Sequence, residues 1–278
     1  MYRVLNEINV VCDLSDDDIR NAVEDNNVTY PVMQAMGQSH REEYVKYVLP
    51  FLDNERYMVR RAAVQSILNI NGRLALDELK ERERRYDISE LDQYCSDRLL
   101  LTVAILHIER SIPELKEYFA SEEPHARVKA ELLTFYDRGY PYSESDIDLI
   151  VYCLRAFVDN NLGWTKRMNI TDRRARIFGA TDSLGCAGMA ENSVLEKISG
   201  NLGDEICALY EQLQEMKLGS NVFGMVCTAQ GMQKEYALRI LKAIKNKVKG
   251  ENRKIFKKVL EKWDISIADL ENISQSAE

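Results

Sequence analysis

Trp164 is followed by Lys166, Arg167, Arg173, Arg174 and Arg176. An indole beside a row of cations is the combination that stacks a nucleobase and neutralises phosphates. The plain alternative is an indole buried under a charged loop. A second basic cluster lies further on. Residues 230 to 262 hold eleven Lys or Arg against Glu235, Glu251 and Glu261, within a chain of formal net charge -8. Lys254, Lys257 and Lys258, with Lys262, edge an apolar stripe of Ile255, Phe256, Val259, Leu260 and Trp263. The stripe reads as core. The lysines read either as the solvated outer face of a terminal repeat or as a surface for an acidic partner.

Other chemistry has little to work with. The chain lacks the G-x-x-x-x-G-K-[ST] phosphate loop, a G-x-G-x-x-G turn, H-E-x-x-H and the G-x-S-x-G elbow. The histidines are His40, His107 and His125, none with a visible acid-base partner. Glu42, Glu43, Glu109, Asp146 and Asp148 could each act as acid or base, but solvated helix faces are the preferred account of them, and none is assigned a catalytic role. Six cysteines, Cys12, Cys95, Cys153, Cys186, Cys207 and Cys227, form no C-x-x-C pair. They read as small buried hydrophobes in a reducing compartment, so the expectation is a cytoplasmic protein with no metal and no cofactor. No apolar run approaches the roughly 20 residues that span a bilayer, so no membrane partner is expected.

The elements that position these residues read as helices. Five prolines and thirteen glycines are few for this length. Ser15 followed by Asp16, Asp17 and Asp18 supplies an N-cap and an acidic first turn. Tyr44, Val45, Val48, Leu49 and Leu52 recur at helical spacing. Asp53 and Asn54 turn the chain into a second helix through Val59, Ala62, Ala63, Ile67 and Ile70. The pair recurs: RRAAVQSILNI from Arg60 and RLLLTVAILHI from Arg98 align at an offset of 38, and a weaker copy begins at Arg127. Ser143 caps a helix carrying Ile147, Ile150, Val151, Leu154 and Phe157, broken at Asp159 to Asn161. The segment 162 to 191, with Gly179, Gly185 and Gly188, shows no clear period. Plain helices follow at 202 to 216, 233 to 247 and 252 to 263, with a short one near 265 to 273.

The stretch LPFLDNERYMVRRAAVQSILNI, Leu49 to Ile70, resembles a HEAT repeat: a first helix with a proline, an aspartate at the turn, then Val-Arg and small residues opening the second helix. The likeness covers residues 42 to 139. It implies an all-α, α-solenoid-like superhelix of HEAT-like antiparallel helix pairs, with residues 1 to 139 as repeats. Residues 140 to 278 are a less regular helical part continuing it. It also implies that Arg60, Arg98 and Arg127 bond turn carboxylates such as Asp53 or Asp97.

Two functions follow. A non-enzymatic helical-repeat protein would bind a partner protein, as an adaptor or a toxin-neutralising immunity protein does. The alternative, implied by resemblance, is a HEAT-like DNA-binding protein or alkylpurine DNA glycosylase, which would use Trp164 and the arginines near it. A net charge of -12 over residues 1 to 229 opposes a duplex-binding groove there. The protein partner is the preferred expectation, with nucleic acid second.

Overall fold

The structure, a computed structural model, describes residues 14–85, 95–121, 136, 140–190, 192–216 and 221–272. All regular structure among the described residues is helical. The chain falls into two compact units, Met1–Leu115 with Gly139–Pro141, and Lys116–Arg138 with Tyr142–Glu278.

The first unit contains α1 (Asp16–Glu24), α2 (Tyr30–Ser39), tight turns from Glu42 to Asp53 that include α3 (Val45–Val48), and α4 (Tyr57–Asn71). A 3₁₀ turn at Gly72–Ala75 leads into α5 (Leu76–Arg85), then α6 (Cys95–Ile108) and the start of α7 (Ile112–Ala120). Ser15 caps α1 as expected: its hydroxyl accepts from Asp18 N, and the Asp18 carboxylate accepts from Ser15 N at 2.9 Å. Pro31 sits in the first turn of α2, where its missing N–H costs nothing. α2 and α4 run side by side in the same direction. His40 Nδ1 meets Asn69 O at 2.6 Å, and Asn71 Nδ2 donates to Glu42 at 2.8 Å. α5 and α6 form an antiparallel pair, with Glu83 of α5 accepting from Thr102 of α6 and Lys80 meeting Glu109 beyond its end.

The turn carboxylate is held by a different arginine from the one anticipated. Arg60 Nη1 donates to the carbonyls of Asn54 and Glu55. Asp53 is gripped by Arg82 of α5, through Nε at 3.2 Å and Nη2 at 2.9 Å. Those two bonds hold the Asp53 carboxyl below the usual carboxylate range. The reason is reach: the fork of Arg82 comes from the next helix, 29 residues on, and faces both oxygens. Arg98 lies 3.9 Å from Glu83. Arg127 and the side chain of Asp97 lie outside the described residues.

The second unit holds the rest of α7, then α8 (Glu144–Asp159), α9 (Gly163–Lys166), α10 (Ile170–Met189), α11 (Val194–Glu215), α12 (Val222–Gly231), α13 (Lys234–Ile244), α14 (Asn252–Glu261) and α15 (Asp269–Asn272). Ser143 and Asp146 form a capping box at the start of α8, and Asn160 ends it in the left-handed conformation, φ 52°.

Segment 162 to 191, which shows no clear period, contains the 20-residue helix α10. Its glycines hide the period because they serve packing. A Cβ on Gly185 would lie 2.8 Å from Gly224 Cα, and one on Gly231 would lie 2.6 Å from Gly188 Cα. The two backbones therefore touch along a seam that no larger residue fits. The seam is in register, Thr181 beside Gly224 and Gly188 beside Gly231, so α10 and α12 run in the same direction. α12 is buried on nearly every side, from Gly224 to Ala229 and at Gly231, which removes the amphipathic signal that would reveal it in sequence. α11 and α13 likewise run together. Glu196 O accepts from Gln233, Gly203 abuts the Tyr236 ring, and Glu211 takes both Nε and Nη2 of Arg239.

Candidate partner-binding surface

The cations after Trp164 do not act as a group. Trp164 is wholly buried, edge-on to Phe119 at 5.0 Å and to Phe157 at 5.9 Å, and its Nε1 donates to Phe119 O at 3.0 Å. This corrects the stacking reading. The indole has no face in solvent, because the apolar side chains of α7 and α8 and a buried carbonyl satisfy all of it. Arg173 is turned inward as well: Nε and Nη2 donate to the carbonyls of Phe157 and Val158, both at 2.7 Å. It thereby satisfies the last turn of α8, where the helix dipole favours a cation. Arg176 is half-buried, and Arg167 is exposed; each has interactions of its own.

Lys166 and Arg174 remain at the surface. Arg174 has company of another kind. Ile170 and Phe178, one turn before and after it, are 49% and 53% exposed. Spacing by four places the three side chains in one line on α10, about 12 Å long. The other side of this stretch is packed, with Ile177 fully buried and Arg173 bonded to α8, so the line is one exposed face of the helix. Asn169 caps α10, its Oδ1 accepting from Asp172 N at 2.8 Å. An exposed cation between two exposed large apolar residues is a local departure of the kind found at functional surfaces. Ile170 and Phe178 escape a sequence reading that leaves this segment without a helix. Their spacing of eight residues around Arg174 was the available signal.

Arg173 and Arg174 are adjacent in sequence, yet their replacement will differ in effect. Arg173→Met should cost about 1–3 kcal/mol of stability, because it strips charged donors from two buried carbonyls. Arg174→Met should change stability by no more than about 0.5 kcal/mol. Thermal melts of the two variants distinguish them, and equal losses would refute the assignment.

The second cluster is arranged as the stripe implies. Phe256, Val259 and Leu260 of α14 are buried, and the helix packs on α12. Arg253, Lys254, Lys257 and Lys258 are all exposed on its other side. Lys254 reaches Glu251 at 2.9 Å, a pair open to water on both sides. α12 stands between α10 and α14, so the two sets of cations belong to separate helices.

The residues considered for acid-base work have structural partners. Asp146 is buried in its capping box and accepts from Tyr136 OH at 3.3 Å, Asp148 pairs with Lys116 at 2.6 Å, and Glu109 pairs with Lys80. Burial pushes the Cys207 thiol up to about 12 and that of Cys227 to about 11, and it shifts Cys153 in the same direction. These thiols stay protonated at neutral pH and are poor nucleophiles. Among the described residues no group of His, Cys, Asp or Glu is placed to hold a metal ion, and no helix is long and apolar enough to cross a membrane. Comparison with protein-family models, with curated proteins and with solved structures finds no match for the chain.

Proposed function

We propose that the protein is a non-enzymatic helical-repeat protein that binds a partner protein, and that the exposed face of the first half of α10 is where it does so. The observation that carries this reading is the line Ile170, Arg174, Phe178, with two large apolar side chains half in solvent beside a cation. Aromatic and aliphatic anchors next to arginine are the composition of binding hot spots, and Arg174 favours an acidic group on the partner. The HEAT-like, solenoid-like character of the helix pairs is part of the same proposal. Its support is the way successive helices align within each unit, α2 with α4, α10 with α12 and α11 with α13, as stacked repeats do. An adaptor or a toxin-neutralising immunity protein would have this character.

The test places a photo-crosslinking residue at Phe178 in the full chain within its own cells, with Leu74 of the first unit, equally exposed, as the comparison site. One protein should crosslink at Phe178 and not at Leu74. In the purified pair, Phe178→Ala should weaken binding by about 2 kcal/mol, roughly thirtyfold, as hot-spot truncations do. Arg174→Glu should weaken it further and reduce its salt dependence. Equal crosslinking at both sites, or a partner indifferent to Arg174→Glu, would remove the reading.

A further inference from the structure

We propose that α14 is a second contact surface, one that binds the phosphate backbone of nucleic acid without regard to sequence. It is independent of the α10 reading, since it uses another helix and another chemistry. From Lys249 to Lys262 the chain carries Lys249, Arg253, Lys254, Lys257, Lys258 and Lys262 against Glu251 and Glu261. Of the cations on α14, Lys254 alone has a carboxylate partner among the described residues, and that pair is too exposed to hold it strongly.

Three features select the ligand. Arg253, Lys254, Lys257 and Lys258 lie within about 7.5 Å along the helix axis. Duplex DNA carries one charge per about 3.4 Å of axis on each strand, so over that length it presents about two phosphates on each of its strands, about four in all, to the four cations. Next, the apolar face of α14 is buried against α12, which leaves nothing to insert into a lipid surface. Last, no large apolar side chain of α14 is exposed, and lysine predominates. Protein interfaces are depleted in lysine and need apolar anchors, whereas backbone phosphate binding needs only cations. Trp263, half-exposed with Lys262 Nζ at 5.1 Å from its ring centre, closes the ridge at its C-terminal end.

The experiment is fluorescence anisotropy of the full chain with labelled mixed-sequence duplex DNA, single-stranded DNA and duplex RNA, with polyglutamate as competitor. Four contacts predict a log–log salt slope near -3.6 for duplex DNA, so affinity should fall about 150-fold between about 50 and about 200 mM salt. Lys257→Glu with Lys258→Glu should weaken binding more than about tenfold and halve the slope. Both positions are exposed, so the melting temperature should hold. Arg20→Glu with Arg84→Glu, exposed positions of the first unit, makes the same change in net charge and should leave binding within about twofold. Absence of salt-sensitive binding, equal losses in the two double variants, or displacement by polyglutamate as efficient as by unlabelled DNA would each overturn the proposal; the last would identify an acidic protein surface as the ligand.

Discussion

Gly188→Val is expected to cost the second unit about 3 kcal/mol or more, because overpacking here meets main chain that has nowhere to move. A Cβ at Gly188 would fall on the carbonyl of Cys227 and within 2.9 Å of Thr228 Cα. Flexible side chains adjust to an added methyl. A backbone held in the middle of two packed helices does not. The two helices must separate, and the separation opens gaps around Met225, Val226 and Ala229, all fully buried. For a unit of this size the melting temperature should fall by about 6–12 °C. Gly179→Ala is the companion variant. No atom lies within 4 Å of a Cβ there, and the site is mid-helix, so the change should raise stability by about 0.5–1 kcal/mol. If both variants melt like the parent, the seam between α10 and α12 is not as described.

Trp164→Ala should be as damaging, by about 3–5 kcal/mol, since it leaves a large cavity at the centre of an aromatic cluster. Phe119 makes edge contacts with Tyr152, Phe157 and Trp164, at 5.7, 5.7 and 5.0 Å, so removal of the indole unseats three elements together. It also leaves Phe119 O without its donor, in a place water does not reach. Trp164→Phe, which keeps most of the ring volume and loses only that bond, should retain more than half of the lost stability. A stacking platform behaves in the opposite way. There, alanine would weaken ligand binding and spare the melt. Calorimetric melting beside nucleic-acid binding of the same variants separates the two roles.

The residues that proved legible in sequence are those whose role is local. Ser15 and Ser143 announce their helices because a cap acts on a backbone N–H three residues away. Arg60 and Arg98, which the offset of 38 relates, both lie on helices, α4 and α6. The stripe of Phe256, Val259 and Leu260 is buried as its period implies. What stayed hidden depends on partners distant in sequence. Trp164 among cations looks like a binding platform until Phe119, 45 residues away, is found beneath it. Asp53 looks like the partner of Arg60 until Arg82 arrives from the next helix. α10 looks irregular because its glycines answer to glycines of α12, and a seam of missing side chains leaves no hydrophobic period to read. The candidate surface was half visible: Arg174, Lys254, Lys257 and Lys258 were named from charge alone, while Ile170 and Phe178 needed the folded helix to show that half of each side chain stays in solvent.

The mismatch in length between α10, twenty residues, and α12, ten, divides one helix between two regimes of inheritance. From Thr181 onward almost any replacement at the seam is penalised at the level of folding, so that half is confined to a narrow set of small residues. At Ile170, Arg174 and Phe178 the side chains touch solvent, and their exchange leaves the fold alone. A lineage could therefore retune what the exposed face recognises, step by step, without passing through unstable intermediates, while the buried seam keeps that face at a constant position. Libraries randomised at Ile170, Arg174 and Phe178 should accordingly yield folded protein at nearly every member, and the same randomisation at Gly185, Gly188 and Gly224 should yield almost none.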